Sequence, residues 1–275
     1  MKKFIFILFL LTLIFIFVSS KLKLGEKVEF RIGTELDYPP NNWEEEFGTD
    51  SNVPLANIEG RYAEGYDIQI AKLVAKSMGA KLVVKKIAWQ DLINALNRRE
   101  IDAIFSGMLD TSGRKKIIAF SDVYDVQDSK IYGVMVRKDS KYANAKSLND
   151  FVGASFVAQK DSNLDRAITQ VKGAIHLPPV LKAQDFFDKL RNREADATIL
   201  DLESARTYER IYPGFITIKF PEGEGFQFDY NGICAGVRKN ETKLLNEIND
   251  ALKDISKKER QKIMDQTFSR NWGNF

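Results

Sequence analysis

The chain has 275 residues, of which 44% are hydrophobic and 29% charged, the balance of an ordinary folded protein of one large domain or two of medium size. No long low-complexity tract appears, which excludes disordered and collagen-like classes. Net charge is +3, Lys2 and Lys3 supply two of those charges, and no basic stripe with interleaved aromatics follows, so nucleic acid is not an expected partner.

The N-terminus opens with Met1-Lys2-Lys3, continues apolar from Phe4 to Val18 except for Thr12, and ends in Ser19-Ser20. A basic start, a short apolar core and small residues predict a signal peptide over 1–20, cleaved after Ser20; an uncleaved anchor is the alternative. The single cysteine, Cys234, lies far from this segment. Neither a lipid anchor nor a disulfide framework is expected, and a soluble periplasmic protein follows.

VEFRIGTEL (28–36) reads as a strand running into a turn. The prolines of YPPNNW (38–43) interrupt regular structure, and the polar stretch 44–64 is expected to be an irregular loop. YDIQIAKLVAKSMG (66–79) has helical spacing and a glycine stop, and KLVVKKI (81–87) reads as a strand. The polar stretch 138–150 looks like a connection. FVGASFVAQ (151–159) and GICAGVR (232–238) read as strands, SNLDRAITQV (162–171) as a helix, and 242–268 as one amphipathic helix.

Two segments echo one another. QDLINALNRREIDAIFSG (90–107) and QDFFDKLRNREADATILD (184–201) align without gaps and share Gln, Asp, Leu, Arg, Glu, Asp and Ala at the same places. Each reads as helix, tight turn, strand. Alternating strands and helices predict an α/β protein, and the echo predicts two α/β lobes of similar plan. Chance likeness of two common units is the bland alternative. In open α/β sheets ligands bind beyond the carboxyl ends of strands. The echoed strands end at Ser106-Gly107 and Leu200-Asp201, which would face each other across one cleft.

Beyond Gly107 comes MLDTSGRKK (108–116). Thr111 can cap a short helix, which puts Arg114 in its first turn, where a cation opposes the helix dipole by about 0.3–1 kcal/mol. An anionic ligand would meet backbone N–H groups, a hydroxyl and a guanidinium there. A solvated basic turn is the plain alternative. Asp201 can accept from a ligand ammonium or can cap the helix that follows. Tyr38, Trp43 and Trp89 can sandwich a side chain or fill the core. The lone histidine, His176, reads as structural, and no metal pattern, phosphate loop or nucleophile elbow occurs. No cofactor is expected.

The segments RIGTELDYPP, EGYDIQIAKLVAKSMGAKL, WQDLINALNRREIDAIFSGM, DTSGRKKIIAFSDVY, EADATILD and GICAGVRKNETKLLNEINDAL resemble the family 3 extracellular solute-binding proteins of polar amino-acid ABC transporters. The resemblance spans essentially the whole chain after residue 27. It implies a periplasmic-binding-protein-like type II fold: two α/β lobes, 28–126 plus 231–275 and 127–230, joined by a hinge around a ligand cleft. It implies that Arg114, with Thr111 beside it and Gly107 at the strand end, grips the α-carboxylate, that Asp201 takes the α-ammonium, and that Tyr38 and Trp89 flank the side chain. Glu35 and Asp67 match acidic positions near the side-chain end, and Ser162 matches a carboxylate contact.

Leu109 departs from the Ser or Thr usual there, Lys160-Asp161-Ser162 from a glycine-rich loop, Asn41 from a phenylalanine, and Gln69 from a common aspartate. The implied partners are a free amino acid, cationic or neutral polar, and the membrane subunits of a transporter; the protein itself is expected to be monomeric. A dehydratase acting on arogenate or prephenate and an amino-acid sensor are the rival readings.

Overall fold

The computed structural model describes residues 28–126, 131–221 and 223–270. The N-terminal apolar segment lies outside them. Phe30 and Ile32, fully buried, alternate with more exposed neighbours in the strand Glu29–Thr34. This strand pairs in parallel with Lys81–Lys86 on one side and Ala103–Ile104 on the other. Antiparallel Cys234–Val237 and Ala119–Val123 complete a five-stranded sheet. The helices Tyr66–Ser77 and Thr242–Asp254 cover one face through Ile70, Val74, Ile248 and Leu252, and the helix Leu92–Asn97 covers the other through Leu92 and Leu96. Coverage on both faces is what a largely parallel sheet needs.

A second five-stranded sheet repeats the plan. Its order is Ile175–His176, Ser155–Phe156, Ala197–Asp201, Tyr132–Arg137, Phe215–Ile218, again three parallel strands, then one antiparallel to them, then a fifth that pairs antiparallel with the fourth. Val134 and Val136 pack on one face, and Met135 on the other beneath the helix Ala183–Arg191. The first sheet takes its strands from 29–123 and 234–237, the second from 132–218.

The two echoes occupy the same place, the middle strand of each sheet. Their likeness extends to atoms. Arg99 and Arg193 both turn the chain in the left-handed region, at φ 63° and 61°. Asp102 accepts the backbone N–H of Arg31, and Asp196 accepts that of Ser155, tying each middle strand to its neighbour. The Arg238 guanidinium donates to the carbonyls of Leu96 and Ile101, and the Arg137 guanidinium to those of Leu190 and Ala195, clamping each echoed turn. Such bonds satisfy carbonyls that a helix end leaves without partners. The repeated Leu, Arg, Glu, Asp and Ala are thus the parts of one helix–turn–strand clamp built twice.

Three expectations are corrected. Residues 37–64 are not irregular: Asp37–Tyr38, Asn42–Glu45, Tyr62–Glu64 and Val53–Pro54 form a small antiparallel sheet. Trp43, fully buried, anchors it, so packing overrides weak local propensity. The stretch 242–268 is two helices, Thr242–Asp254 and Lys257–Phe268, because Ile255 turns extended and the Ser256 hydroxyl caps the second. Within 151–159 only Ser155–Phe156 pairs as a strand, after a short helical turn at Leu148–Phe151.

Candidate functional site

The parallel strands of both sheets point their carboxyl ends into one cavity between the sheets. Glu35 follows the strand Glu29–Thr34 of one sheet, and Gln159 lies just beyond the strand Ser155–Phe156 of the other. Gly107 and Asp201 end the two echoes at corresponding positions. All four line the cavity, together with Tyr38, Trp89, Arg114 and Ser162.

Local structure explains each placement. Gly65, at φ 124°, lets the turn at 39–41 press against the start of the helix Tyr66–Ser77; a Cβ there would come within 2.3 Å of the Asn41 carbonyl oxygen. The Pro40 and Asn41 carbonyls then accept the first helical N–H groups, of Tyr66 and Asp67. This seats Tyr38 and Asn41 at the cavity wall. Gly107, at φ 58°, takes the left-handed turn out of the strand. Thr111 caps the short helix Ser112–Lys115 by accepting from Arg114 N at 3.3 Å.

Arg114 is 8% exposed and stacks its guanidinium 4.9 Å from the centre of the Trp89 ring. Its hydrogen bonds go to two carbonyls, Leu109 O at 3.1 Å and Asp161 O at 3.3 Å. Burial, reinforced by nearby Arg166, pushes it down to about 10. An anion is the partner such a buried cation lacks.

Contacts between the two halves close the cavity. Tyr38 Oη donates to Asp201 Oδ2 at 2.6 Å. Gln159 Nε2 donates to Glu35 Oε2 at 2.8 Å. Tyr208 Oη donates to the Asp37 carbonyl at 3.2 Å. Asp201 also caps the helix Leu202–Ile211 by accepting from Ser204 N. Ser162 caps the helix Asn163–Ala167 in the same way.

Acid dominates the lining. Glu35, Asp125, Asp201 and Glu203 bring carboxyl groups, against Arg114 as the cation. Burial, opposed by the bond from Gln159 and helped by Asp37 and Asp67, raises Glu35 to about 8. Burial and the charge of Asp201 raise Glu203 to about 7.

Two expected site residues are elsewhere. Thr111 faces a neighbouring groove with Ser112 and Arg166. Asp67 is fully buried beneath the wall, where it accepts from Asn42 Nδ2 at 2.8 Å and Tyr124 Oη at 2.5 Å. Nor does it cap its helix; Gly65 holds that place and Asp67 lies in the first turn. Gln159, Asn163 and Glu203 also line the cavity, and sequence reasoning passed over them. For Gln159 a signal existed: it is the polar residue directly after an apolar strand, as Glu35 is in the other half.

Comparison with known proteins supplies the wider frame. The profile of the family described as "Bacterial extracellular solute-binding proteins, family 3" matches residues 30–270. The arginine-binding extracellular protein ArtP of Bacillus subtilis is 27% identical over 237 residues, 83% of this chain and 81% of the relative. The glutamine-binding protein of Geobacillus stearothermophilus is 33% identical over 150 residues, covering 54% of this chain and 55% of the relative. The structure titled an ancestral arginine-binding protein bound to glutamine superposes with a TM-score of 0.72 at 28% identity, over 90% of this chain and all of that one.

Proposed function

The chain belongs to the family 3 bacterial extracellular solute-binding proteins, and from that premise we propose that it captures a cationic α-amino acid of the arginine and lysine class. It would hand this ligand to the membrane subunits of an ABC transporter. The family and its relatives are binding proteins of transporters rather than enzymes, which leaves the dehydratase reading without support.

The observation that carries the choice of ligand is the acid-rich lining of the cavity: four carboxyl-bearing residues, Glu35, Asp125, Asp201 and Glu203, share it with the one guanidinium of Arg114. The ligand α-carboxylate takes Arg114. Its α-ammonium takes Asp201. A cationic side chain then meets Glu35, whose burial makes an unpaired negative charge costly and a cationic partner welcome. An anionic side chain would add to the repulsion. Trp89 and Tyr38 offer aromatic walls to the ligand stem. Ligand bridging both halves favours the closed arrangement by its differential affinity.

A neutral amide side chain is the second reading. Glu35 at about 8 retains a proton at neutral pH and can donate to an amide carbonyl. The solved relative titled arginine-binding yet bound to glutamine fits such tolerance. The apolar segment before residue 21 would direct export, with the mature protein acting as a monomer in the periplasm.

Competition titration of ligand-stripped protein with arginine, lysine, glutamine, cystine and glutamate tests the proposal. Arginine or lysine should displace the others. Tight glutamate binding would exclude it.

A further inference from the structure

Asp110 is buried but does not line the cavity. Its carboxylate accepts from Asn231 N and Asn231 Nδ2, each at 2.7 Å, from Gly232 N at 3.2 Å and from Lys115 Nζ at 2.6 Å. An ionised carboxylate has about four acceptor sites, and these donors fill them. Burial opposes the charge, yet Lys115, Asn231 and Gly232 together hold the carboxyl below the ordinary carboxylate range. On one side of this staple stands the anion anchor. The Leu109 carbonyl, next to Asp110, accepts from Arg114 Nη1 at 3.1 Å, and Lys115 adjoins Arg114 on the short helix capped by Thr111. The backbone at 109–111 therefore orients the guanidinium that lines the cavity. On the other side the chain changes halves. Gln170 bonds both the carbonyl and the N–H of Gln227, the Phe228 ring packs 4.3 Å from that of Tyr132, and Tyr230 Oη donates to Tyr132 Oη at 2.8 Å. Residues 227–230 are thus held by the half built on the second sheet, whereas Asp110 holds Asn231 and Gly232 on the first.

We infer that Asp110 is a positioning residue for amino-acid capture: its carboxylate fastens the loop that carries Arg114 to the segment where the chain crosses between the halves, so that anchor and crossover move as one body. The inference deepens the amino-acid reading above and rests on it. The Tyr230–Asn231 peptide is where one half gives way to the other. Fixing Asn231 to the loop sets the reach from that peptide to Arg114. It thereby sets where the guanidinium arrives against the opposite half, whose Asp161 carbonyl it meets at 3.3 Å. A bidentate guanidinium–carboxylate pair is geometrically demanding, so a loop released from the crossover loses part of that pair. Because every α-amino acid carries the α-carboxylate, the effect falls on all of them without choosing among side chains.

Calorimetric titration with L-arginine and with L-glutamine, beside urea unfolding of the ligand-free protein, tests the inference on wild type, Asp110→Ala, Asn231→Asp and the double variant Asp110→Asn/Asn231→Asp. Asp110→Ala should weaken every probe that the wild type binds by about 10- to 100-fold, the span of one bond to a charged group, and by the same factor for each. Asn231→Asp sets two carboxylates face to face and should also weaken binding. The double variant exchanges acid and amide, returns a donor to an acceptor, and should recover most of the affinity lost in Asn231→Asp. Binding stoichiometry reports the folded fraction. A staple that serves stability alone would lower the urea midpoint and leave the dissociation constant unchanged. That result overturns the inference, as does a loss confined to one probe or a loss in Asn231→Asp that the exchange does not reverse. If Asp110→Ala does not fold, Asn231→Asp and the exchange decide alone. If the wild type binds neither probe, the amino-acid reading fails first and the inference falls with it.

Discussion

Tyr38 and Asp201 meet across the cleft, phenol to carboxylate, at 2.6 Å. The second carboxylate oxygen of Asp201 accepts from Ser204 N at 2.9 Å and caps a helix. One side chain therefore ends a strand, starts a helix, joins the two halves and lines the cavity. Asp201→Asn keeps shape and an acceptor for the cap but removes the charge. It should lower affinity for amino acids by about 1.5–3 kcal/mol while leaving the melting temperature within a few degrees of wild type. Tyr38→Phe removes one neutral donor to the same group and should cost about 0.5–1.5 kcal/mol. Calorimetry and thermal unfolding of both variants check this.

Arg114 should separate binding from stability. Its bonds go to carbonyls, and burial disfavours its charge. Arg114→Met should abolish measurable binding yet leave ligand-free stability equal to wild type or higher, because a desolvated cation is removed. Urea unfolding alongside ligand titration reads both outcomes; destabilisation with retained binding would contradict them.

Glu35 predicts a pH dependence with a definite sign. Its folded value of about 8 lies above the ordinary 4.5. The folded protein keeps this proton where the unfolded chain has released it. The stabilising contribution is full below about 4.5 and is lost as pH rises to about 8. Glu35→Gln removes this titration, so its stability should fall less than that of wild type over the same range. A cationic ligand favours ionised Glu35, so arginine affinity should rise toward pH 8 in wild type and rise less steeply in Glu35→Gln. Parallel pH series of urea unfolding and arginine titration provide the check.

Asp67 should behave as architecture. Asp67→Ala leaves Asn42 and Tyr124 without their acceptor in a fully buried place. At about 1–3 kcal/mol for each of two buried unsatisfied donors, the loss should be about 2–6 kcal/mol of folding stability. In Asp67→Asn, which retains an oxygen acceptor, the ratio of arginine to glutamine affinity should equal that of wild type. A changed ratio would return Asp67 to the ligand.

Much of the molecule follows from sequence patterns with short physical range. The helical spacing over 66–79, the caps at Thr111 and Asp201, and the shared helix–turn–strand pattern of the echoes are set by groups a few residues apart or by the period of the element. For this reason the echo located both middle strands and both cleft walls.

Other features depend on which side chains meet. Strands of two to four residues between 37 and 64 carry too little pattern to be read, and they exist because they pair around buried Trp43. The bonds Tyr38–Asp201 and Glu35–Gln159 join residues more than a hundred positions apart. Asp67 and Glu35 looked alike as acidic residues beside the expected site. Only tertiary packing turned one carboxylate down onto Asn42 and Tyr124 and left the other in the cavity, because a buried charge goes where donors have been assembled to receive it.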